Sequence, residues 1–383
     1  MKIKELLQEM IKRDSSDIYI TADLPPMYRT EGVTEPFGDT KLTPEDTLAL
    51  ANEVMSEQQR AEFENTREMN LAIYEPELGR FRVNIFYQRG NVGMVIRQIK
   101  LDIKTIDDLK LPPILKDIIM SKRGLVLVVG GTGSGKSTSL AAMIDYRNSN
   151  APGHIISIED PIEFVHQHKK SVITQREVGF DTLSFSHALK NTLRQAPDVI
   201  LIGEIRDVET MESAIAFAET GHLCLGTLHA NNANQAIERV INFFPSERHD
   251  QIYLLLSLNL RAIISQRLVP TVDNKRVAAI EILLDTPRVK DLILKKEIST
   301  LKEAMAAGRQ EGMQTFDQNL YEYYKAGIIS YENAIAYADS ANDLRLRIKM
   351  DSVGEGEAAE GEGKEKEKPK EPAFKIKKDD PFS

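Results

Sequence analysis

The sequence feature that most constrains the fold is a glycine-rich stretch at residues 130–138, which directly follows an apolar run. The surrounding segment, residues 125–144, reads LVLVVGGTGSGKSTSLAAMI and contains the full pattern G-x-x-x-x-G-K-[S/T]. Residues 125–129 predict a buried strand, and residues 138–147 carry apolar side chains at the spacing of one helix face. The sequence therefore predicts a strand, a tight loop and a helix in succession.

This loop is typical of a site that binds phosphate. Glycines allow successive backbone N–H groups to turn toward an anion, and the N-terminus of the following helix adds its positive dipole end. A nucleoside triphosphate fits such a loop, with Lys136 reaching its β- and γ-phosphates and the Ser137 hydroxyl binding Mg²⁺. The alternative, a glycine-rich turn with a chance lysine, is disfavoured because the motif and its flanks are complete. The predicted nucleotide-binding residues are Gly130, Gly131, Thr132, Gly133, Ser134, Gly135, Lys136, Ser137 and Thr138.

Composition limits the class of protein. A length of 383 residues is compatible with roughly two to three domains. The single cysteine, Cys224, excludes an internal disulfide and a cysteine-rich zinc cluster, and favours a reducing compartment. We expect no insertion into a membrane, because the chain shows neither a signal-peptide pattern nor a long apolar span. The formal net charge of −9 argues against general nucleic-acid binding.

The first 98 residues predict a small α+β domain. The N-terminal residues have apolar side chains at helical spacing and then pass into a short strand at residues 18–20. The segment GRFRVNIFYQRGNVGMVIRQI alternates in polarity and breaks at residues 89–91, which predicts a β-hairpin. Residues 99–113 combine charges with two prolines and are interpreted as a linker.

The rest of the chain predicts three further regions. Residues 114–285 alternate between strand and helix patterns, which predicts an α/β sheet with helices on both faces. Residues 286–349 are predicted to be mostly helical, and residues 350–383 to form a charged, disordered tail or a tether for a partner. The candidate strands of the sheet are residues 125–129, 154–158, 199–203, 223–228 and 277–284.

Acidic side chains follow two of these candidate strands. PDVILIGEIRD ends an apolar run at Glu204, a pattern typical of a carboxylate that holds Mg²⁺ beside the glycine-rich loop. HIISIEDPIEF places Glu159, Asp160 and Glu163 after another apolar run, where one of them can orient or deprotonate water. Either element alone is also compatible with helix capping, since acidic residues often cap helices after strands.

Two histidines, His222 and His229, bracket the candidate strand at residues 223–228. A zinc site is the alternative interpretation, but the chain has neither a cysteine pair nor the spacing H-x₃₋₅-H here. A histidine that senses or polarises the γ-phosphate fits better.

The order of these motifs resembles that of a known family. The glycine-rich loop, IEDPIEF at 158–164, ILIGEIRD at 200–207 and TGHLCLGTLHANNA at 220–233 resemble the Walker A, Asp box, Walker B and His box of bacterial secretion ATPases. Within that superfamily the chain is most similar to the type IV pilus retraction ATPases, the PilT/PilU group. SSDIYI, GRFRVNIF and MQTFDQNLYEYYKAG extend the resemblance over roughly residues 1–345.

The resemblance implies a RecA-like P-loop ATPase domain joined to a smaller PAS-like α+β N-terminal domain, assembled as a ring of six. It implies ATP and Mg²⁺ as cofactors, Glu163 as the catalytic acid, Glu204 as the acid associated with Mg²⁺ and His229 as a sensor of the nucleotide state. Glu159 and Asp160 are secondary candidates for the same acidic site.

Arginines of the N-terminal domain are expected, on the same resemblance, to neutralise phosphate charge. Arg80 and Arg82 are the first candidates, and Arg97 lies in the matching sheet. The alternative is that they are exposed arginines of a half-buried strand, because alternate positions of a strand face solvent.

The implied function is a hexameric motor, or accessory motor, that powers pilus retraction and twitching motility. It would act in the cytoplasm at the inner-membrane base of the pilus, with a PilT-like paralogue and a membrane platform protein as partners. One departure favours the accessory PilU branch: TPRVKDLILKKEI at 286–298 replaces a segment of the type AIRNLIRE. The alternatives are a pilus extension or type II secretion ATPase, which usually carries a four-cysteine insertion, and a weakly active structural ring subunit that docks on the paralogue.

Overall fold

The computed structural model describes residues 2–30, 32–99 and 102–359. Its N-terminal part contains a fully antiparallel six-stranded sheet in the order β3-β2-β1-β6-β5-β4. The strands are β1 (Asp17–Ile20), β2 (Met27–Thr30), β3 (Val33–Pro36), β4 (Glu68–Glu75), β5 (Gly79–Gln88) and β6 (Asn91–Ile99). The helices are α1 (Ile3–Lys12), α2 (Pro44–Val54) and α3 (Glu57–Thr66).

The predicted hairpin joins β5 and β6. Arg89 and Gly90 both have positive φ, of 50° and 80°, and Gln88 pairs with Asn91 across the turn. Two consecutive residues of positive φ match the right-handed twist of the flanking strands. The tight turn fixes the register of β5, and therefore the side of the sheet on which Arg80 and Arg82 lie.

The second sheet has seven strands in the order β13-β12-β7-β11-β10-β8-β9. All neighbours are parallel except β12 and β13. Its strands are β7 (Gly124–Val129), β8 (Gly153–Glu159), β9 (Ser171–Glu177), β10 (Val199–Ile202), β11 (Leu223–Leu228), β12 (Leu260–Pro270) and β13 (Arg276–Leu284). The packed helices are α4 (Ile114–Ile119), α5 (Lys136–Asn150), α6 (Phe185–Thr192), α7 (Val208–Glu219), α8 (Ala233–Asn242) and α9 (His249–Asn259).

Two of these seven strands were not among the sequence-predicted ones. β9 alternates between buried and exposed positions and ends in polar residues, so its apolar signal is weak. β12 follows α9 without any intervening turn residue, which hides its start. Both strands matter for the site described below, because each carries a buried or half-buried polar side chain toward it.

Separate apolar clusters occupy the two sheets. One cluster contains buried side chains from Ile3 to Ile96, and the other begins at Ile106. Ile106 and Leu111 belong to the predicted linker, yet both are buried in the second cluster. This segment therefore packs on the seven-stranded sheet, and the domain boundaries stay predictions.

The chain after β13 is helical, as predicted, but it does not form one unit. Val289 and Leu301 join the apolar cluster of the large sheet, whereas Phe316 and Leu320 pack in a third cluster with β12 and β13. The helices are α10 (Pro287–Leu294), α11 (Leu301–Ala307), α12 (Phe316–Lys325), α13 (Tyr331–Ala336) and α14 (Ala341–Ala359).

The predicted tail begins inside the last helix. α14 runs to Ala359, so residues 350–359 of the predicted disordered tail are helical, and residues 360–383 lie outside the described residues. Among the helices within the described ranges, none combines the length and apolarity needed to cross a membrane. Cys224 lies in β11 and is fully buried.

Candidate nucleotide-binding and hydrolysis site

Four sequence motifs meet at one edge of the large sheet. Because β7, β8, β10 and β11 are parallel, their carboxyl ends share this edge. A cavity of about 620 Å³ lies there. The predicted site residues that line it are Thr132, Gly133, Ser134, Gly135, Lys136, Ser137, Thr138, Glu159, Asp160, Glu163, Glu204 and His229. Gly130 and Gly131 line an adjacent cavity of about 550 Å³ together with Asn231 and Arg267.

Gln266, on β12, packs against the glycine-rich loop and hydrogen-bonds to it. Its buried side chain donates from Nε2 to the carbonyl oxygen of Ser134 at 2.8 Å and accepts from Ser139 Oγ at 2.7 Å. A Cβ at Gly130 would lie 2.4 Å from the backbone oxygen of Gln266, and one at Gly135 would lie 2.7 Å from its Nε2. Both glycines also have positive φ, so this close packing excludes larger residues.

Lys136 begins α5 and reaches back over the loop. Its Nζ donates to the carbonyl oxygens of Gly130 and Gly131, at 2.9 Å each. Burial lowers the pKa of Lys136, while the carboxylates of Glu204 and Glu163 oppose this shift. The cation and the two acids therefore belong to one electrostatic site.

Glu204 lies directly after β10 and is the centre of a charged cluster. Its carboxylate accepts from Arg206 Nη2 at 2.6 Å, and its Oε1 lies 3.2 Å from His229 Nε2. The hydrogen bond from Arg206 lowers the pKa of Glu204 against the effect of burial, and the charges of Arg206, His229 and Lys136 act in the same direction. Glu204 is therefore an anion that can bind a cation at neutral pH.

The loop that carries His229 is supported by a buried carboxyl group. Glu281, on β13, accepts from the backbone N–H of Ala233 at 2.8 Å and from Ser265 Oγ at 3.0 Å. Ala233 begins α8, so this contact fixes the helix start that follows the His229 loop. Burial raises the pKa of Glu281 to about 7.

Residues 159–166, which we call the acid loop, connect β8 toward β9 and carry Glu163. The Glu159 carboxylate accepts from Ser157 Oγ and from Gln175 Nε2. Burial raises the pKa of Glu159, with the nearby charge of Glu163 contributing in the same direction. Glu159 therefore holds the loop, whereas Glu163 is exposed at the cavity.

Within one chain, the candidate arginine Arg80 lies beside a buried carboxylate of the large sheet. Arg80 Nη2 is 3.7 Å from Glu177 Oε2, at the end of β9. Glu177 is buried, and its carboxylate also accepts from the Ile162 backbone N–H at 3.4 Å. Burial raises the pKa of Glu177, and the charges of Arg80 and Arg82 oppose this. Within one chain, these arginines thus adjoin the acid loop through Glu177, and neither is among the described residues that line the cavity.

Arg97 forms an ion pair within the N-terminal sheet. Its Nε donates to Asp17 Oδ1 at 2.7 Å, and the Asp17 side chain is buried. Removing Arg97 would leave a buried carboxylate without its positively charged partner. This ion pair gives Arg97 a structural role that requires no contact with a nucleotide.

The residues at the loop fit a bound nucleotide phosphate. The buried hydroxyl of Ser134 has no hydrogen-bond partner among the described residues, although buried polar groups are normally paired. A phosphate oxygen accepts from such a hydroxyl and from the N–H groups of the loop. Lys136 supplies the cation beside it, so the loop has both the donors and the charge for a triphosphate.

Sequence reasoning missed several members of the site. Arg206 and His166 line the cavity, and burial lowers the pKa of His166 to about 4, which leaves its ring neutral near pH 7. Gln175 and Gln266 act from strands that were not predicted. A signal for Gln266 does exist, since SQR interrupts the apolar run of LRAIISQRLVP.

Comparisons with known proteins identify the family of the chain. The sequence profile of the family described as "Type II/IV secretion system protein" matches residues 1–334. The chain belongs to this secretion ATPase family. A relative named type IV pilus ATPase PilU, from Pseudomonas aeruginosa, is 59% identical over 353 residues that cover 92% of each chain. The type IV pilus retraction ATPase PilT of the same organism is 43% identical over 87% of this chain and 97% of its own length.

A solved structure agrees with the fold of this secretion ATPase. The crystal structure of the pilus retraction motor PilT with bound ADP superposes with a TM-score of 0.85 at 43% identity, and the match covers 90% of this chain and 99% of that one. The predicted α/β fold, with a RecA-like ATPase domain and a smaller N-terminal domain, is confirmed. The resemblance to type IV pilus retraction ATPases is confirmed as well, and with it the prediction of an ATPase that uses a nucleotide.

Proposed function

We propose that this secretion ATPase is a homo-hexameric motor, or accessory motor, that hydrolyses ATP with Mg²⁺ and drives type IV pilus retraction and twitching motility. The observation that carries the proposal is the single cavity in which Lys136, Glu204, Glu163 and His229 converge on the glycine-rich loop. A phosphate-binding loop alone only binds a nucleotide, whereas hydrolysis also needs groups that orient water and neutralise charge.

Each residue has a distinct proposed role. The N–H groups of residues 130–138 and the ammonium of Lys136 bind the phosphates. Ser137 and Glu204 would hold Mg²⁺, which when bound supplies further neutralisation of phosphate charge. Glu163 orients and deprotonates the attacking water, and His229, paired with Glu204, reports the state of the nucleotide.

The accessory role is supported by two observations. The similarity to the relative named PilU exceeds the similarity to PilT from the same organism. The departing segment at 286–298 contains the whole of α10, in which Val289 and Ile293 are buried and Leu294, at its C-terminal end, is 48% exposed. We propose that the chain acts with a PilT-like paralogue and a platform protein of the inner membrane, at its cytoplasmic face. An extension or type II secretion ATPase is the less favoured alternative.

The variant Glu163→Gln tests the chemistry. It should bind ATP with wild-type affinity and turn it over about 10²-fold to 10⁴-fold more slowly, because it removes a general base and leaves the phosphate-binding loop intact. Phosphate release and nucleotide binding are measured on the same purified protein. Glu247→Gln is the matched control, since it neutralises an exposed carboxylate that does not line the cavity. Equal losses of affinity and turnover would instead mark Glu163 as structural.

The same variant tests the biological role in cells. Cells that carry only Glu163→Gln should retract pili under light load and fail under heavy load, whereas wild-type cells do both. Cells without the paralogue should not retract, even when this protein is overproduced. Normal retraction without the paralogue would contradict the accessory role and support an independent motor. Unimpaired retraction by cells lacking both proteins would contradict any role in retraction.

A further inference from the structure

The acid loop is held in place mainly by side chains of a neighbouring strand. Residues 160–166 belong to no helix or strand, and apart from an isolated β-bridge at Phe164 no regular backbone ladder fixes them. Glu163, near the middle of this stretch, is exposed at the cavity. A carboxylate that activates water needs to be placed to within a fraction of an ångström, since a displacement of about 1 Å can cost roughly 10²-fold in rate. Some fixed group must therefore supply this precision.

Gln175, on β9, contacts the acid loop at three separate points. Its Nε2 donates to Glu159 Oε1 at 3.1 Å and to the carbonyl oxygen of Phe164 at 2.9 Å. Its Oε1 accepts from the His166 backbone N–H at 2.8 Å. The three contacts use both amide hydrogens and the amide oxygen, and they lie on both sides of Glu163.

The contact to Glu159 connects Gln175 to the backbone of Glu163. The Glu159 carboxylate that accepts from Gln175 also interacts with the backbone of Glu163, which lowers the pKa of Glu159 against the effect of burial. Gln175 itself is fixed by the ladder between β8 and β9, where it pairs with Ser157, and the Ser157 hydroxyl also bonds Glu159. The amide is thus anchored in the sheet at one end and in the acid loop at the other.

Glu177, a second side chain on the same face of β9, also holds the acid loop in place. Glu177 is two residues from Gln175, so both side chains point to one side of the strand. It accepts from the Ile162 N–H and contacts Arg80. The loop is therefore held along its length, with Gln175 providing the greater number of bonds.

We propose that Gln175 is a positioning residue, which sets the place of Glu163 relative to the glycine-rich loop without touching the nucleotide. This inference rests on the proposed role of Glu163 in water activation. Gln175 is not among the described residues that line the cavity, and it acts through Glu159, Phe164 and His166. Its loss should therefore change turnover and leave nucleotide binding intact.

The isosteric variant Gln175→Glu tests this. It keeps the acceptor for the His166 N–H but places carboxylate oxygens against the Glu159 carboxylate and the Phe164 carbonyl oxygen. We expect kcat for ATP to fall about tenfold to hundredfold, while the dissociation constants of ATP and ADP stay within about twofold of wild type. Gln195→Glu is the control, because it makes the same change at an exposed residue of the same domain. An unchanged kcat, or an equal loss of affinity, would overturn the proposal.

Two further variants separate positioning from other effects. Gln175→Met preserves the size of the side chain without its hydrogen bonds and should also lower kcat, so full activity of this variant would overturn the proposal. The double variant Glu163→Gln, Gln175→Glu should be no slower than Glu163→Gln alone, because a positioning residue has no effect once the group it positions is inactive. Additive losses would show that Gln175 acts independently of Glu163 and would overturn the proposal.

These measurements also distinguish the two possible failures. Full turnover by Glu163→Gln alone would contradict the proposed role of Glu163 itself. A slow Glu163→Gln enzyme together with a fully active Gln175→Glu enzyme would contradict only the positioning role of Gln175.

Discussion

The glycine-rich loop and the acid loop line the same cavity but are held there by different means. The glycine-rich loop lies between β7, whose residues are all buried, and α5, with the buried amide of Gln266 beneath it. The acid loop lies beside β9, one of the two edge strands of the sheet, and is held by Gln175 and Glu177. The glycine-rich loop is thus anchored to core elements on both sides, although residues 131–133 are themselves exposed, whereas the acid loop is attached by a few hydrogen bonds. Binding and turnover should therefore respond to different substitutions.

Lys136→Ala should have the largest effect and should remove both nucleotide binding and ATP turnover. It deletes the cation that contacts the transferred phosphoryl group, so ATP hydrolysis should fall to background and nucleotide affinity should fall with it. Phosphate release and nucleotide binding measure the two losses. Lys122→Ala is the control, because Lys122 is exposed and does not line the cavity. Turnover near that of wild type would refute the assignment of the phosphate-binding loop.

Arg80→Ala should have an intermediate effect, confined to turnover. It removes the cation beside the buried Glu177 carboxylate, which loosens the acid loop at Ile162, and we expect kcat to fall about tenfold with little change in ATP affinity. Arg80→Lys should retain more of the rate, because it keeps a positive charge near Glu177.

Mixed rings show on which chain Arg80 acts. Arg80→Ala subunits are combined with Lys136→Ala subunits, and ATP turnover of the confirmed mixture is measured. Because Arg80 contacts Glu177 of its own chain, no activity beyond that of the Arg80→Ala subunits should appear. Recovery toward the wild-type rate would instead show an arginine that acts across a subunit interface, as the family resemblance allows.

Glu281→Gln should have the smallest effect on turnover, and its main effect should be a change in stability that depends on pH. Burial raises the pKa of Glu281 from 4.5 to about 7, so the folded state holds its proton where the unfolded state has lost it. Stability of the wild type therefore falls as pH rises from about 4.5 to about 7, by up to about 3 kcal/mol, and this cost persists above that range. The variant lacks the titration, so its Tm relative to wild type should increase between pH 5 and 8. A Tm difference between variant and wild type that stays constant from pH 5 to 8 would contradict the raised pKa of Glu281.

The parts of the site that could be predicted from the sequence are encoded by residues close together in the chain. The glycine-rich loop, β7 and α5 are adjacent, and Glu204 and His229 each follow a strongly apolar strand. Parallel strands bring such strand ends to one edge of the sheet, so their convergence could be predicted without coordinates. Glu163 became a candidate for the same reason, together with the family resemblance.

The parts that sequence did not predict are contacts between distant residues. Gln266 bonds to Ser139, 127 residues away, and Arg80 reaches Glu177 in the other sheet. No periodicity or motif encodes such pairs, because they depend on how strands are ordered in the folded sheet. Gln266 lies on β12 and Glu177 on β9, the two strands that the sequence analysis did not predict. The contacts of these side chains could therefore not be predicted either.

The burial of Cys224 has a practical consequence for spectroscopy. This residue is the only cysteine of the chain, it is fully buried in β11, and burial raises the pKa of its thiol. Because the thiolate is the reactive form, maleimide dyes should label it slowly in the folded protein. A cysteine introduced at an exposed site of each sheet would then accept donor and acceptor fluorophores without first removing the native thiol. The distance between the two sheets could be followed during ATP turnover in the otherwise unaltered protein.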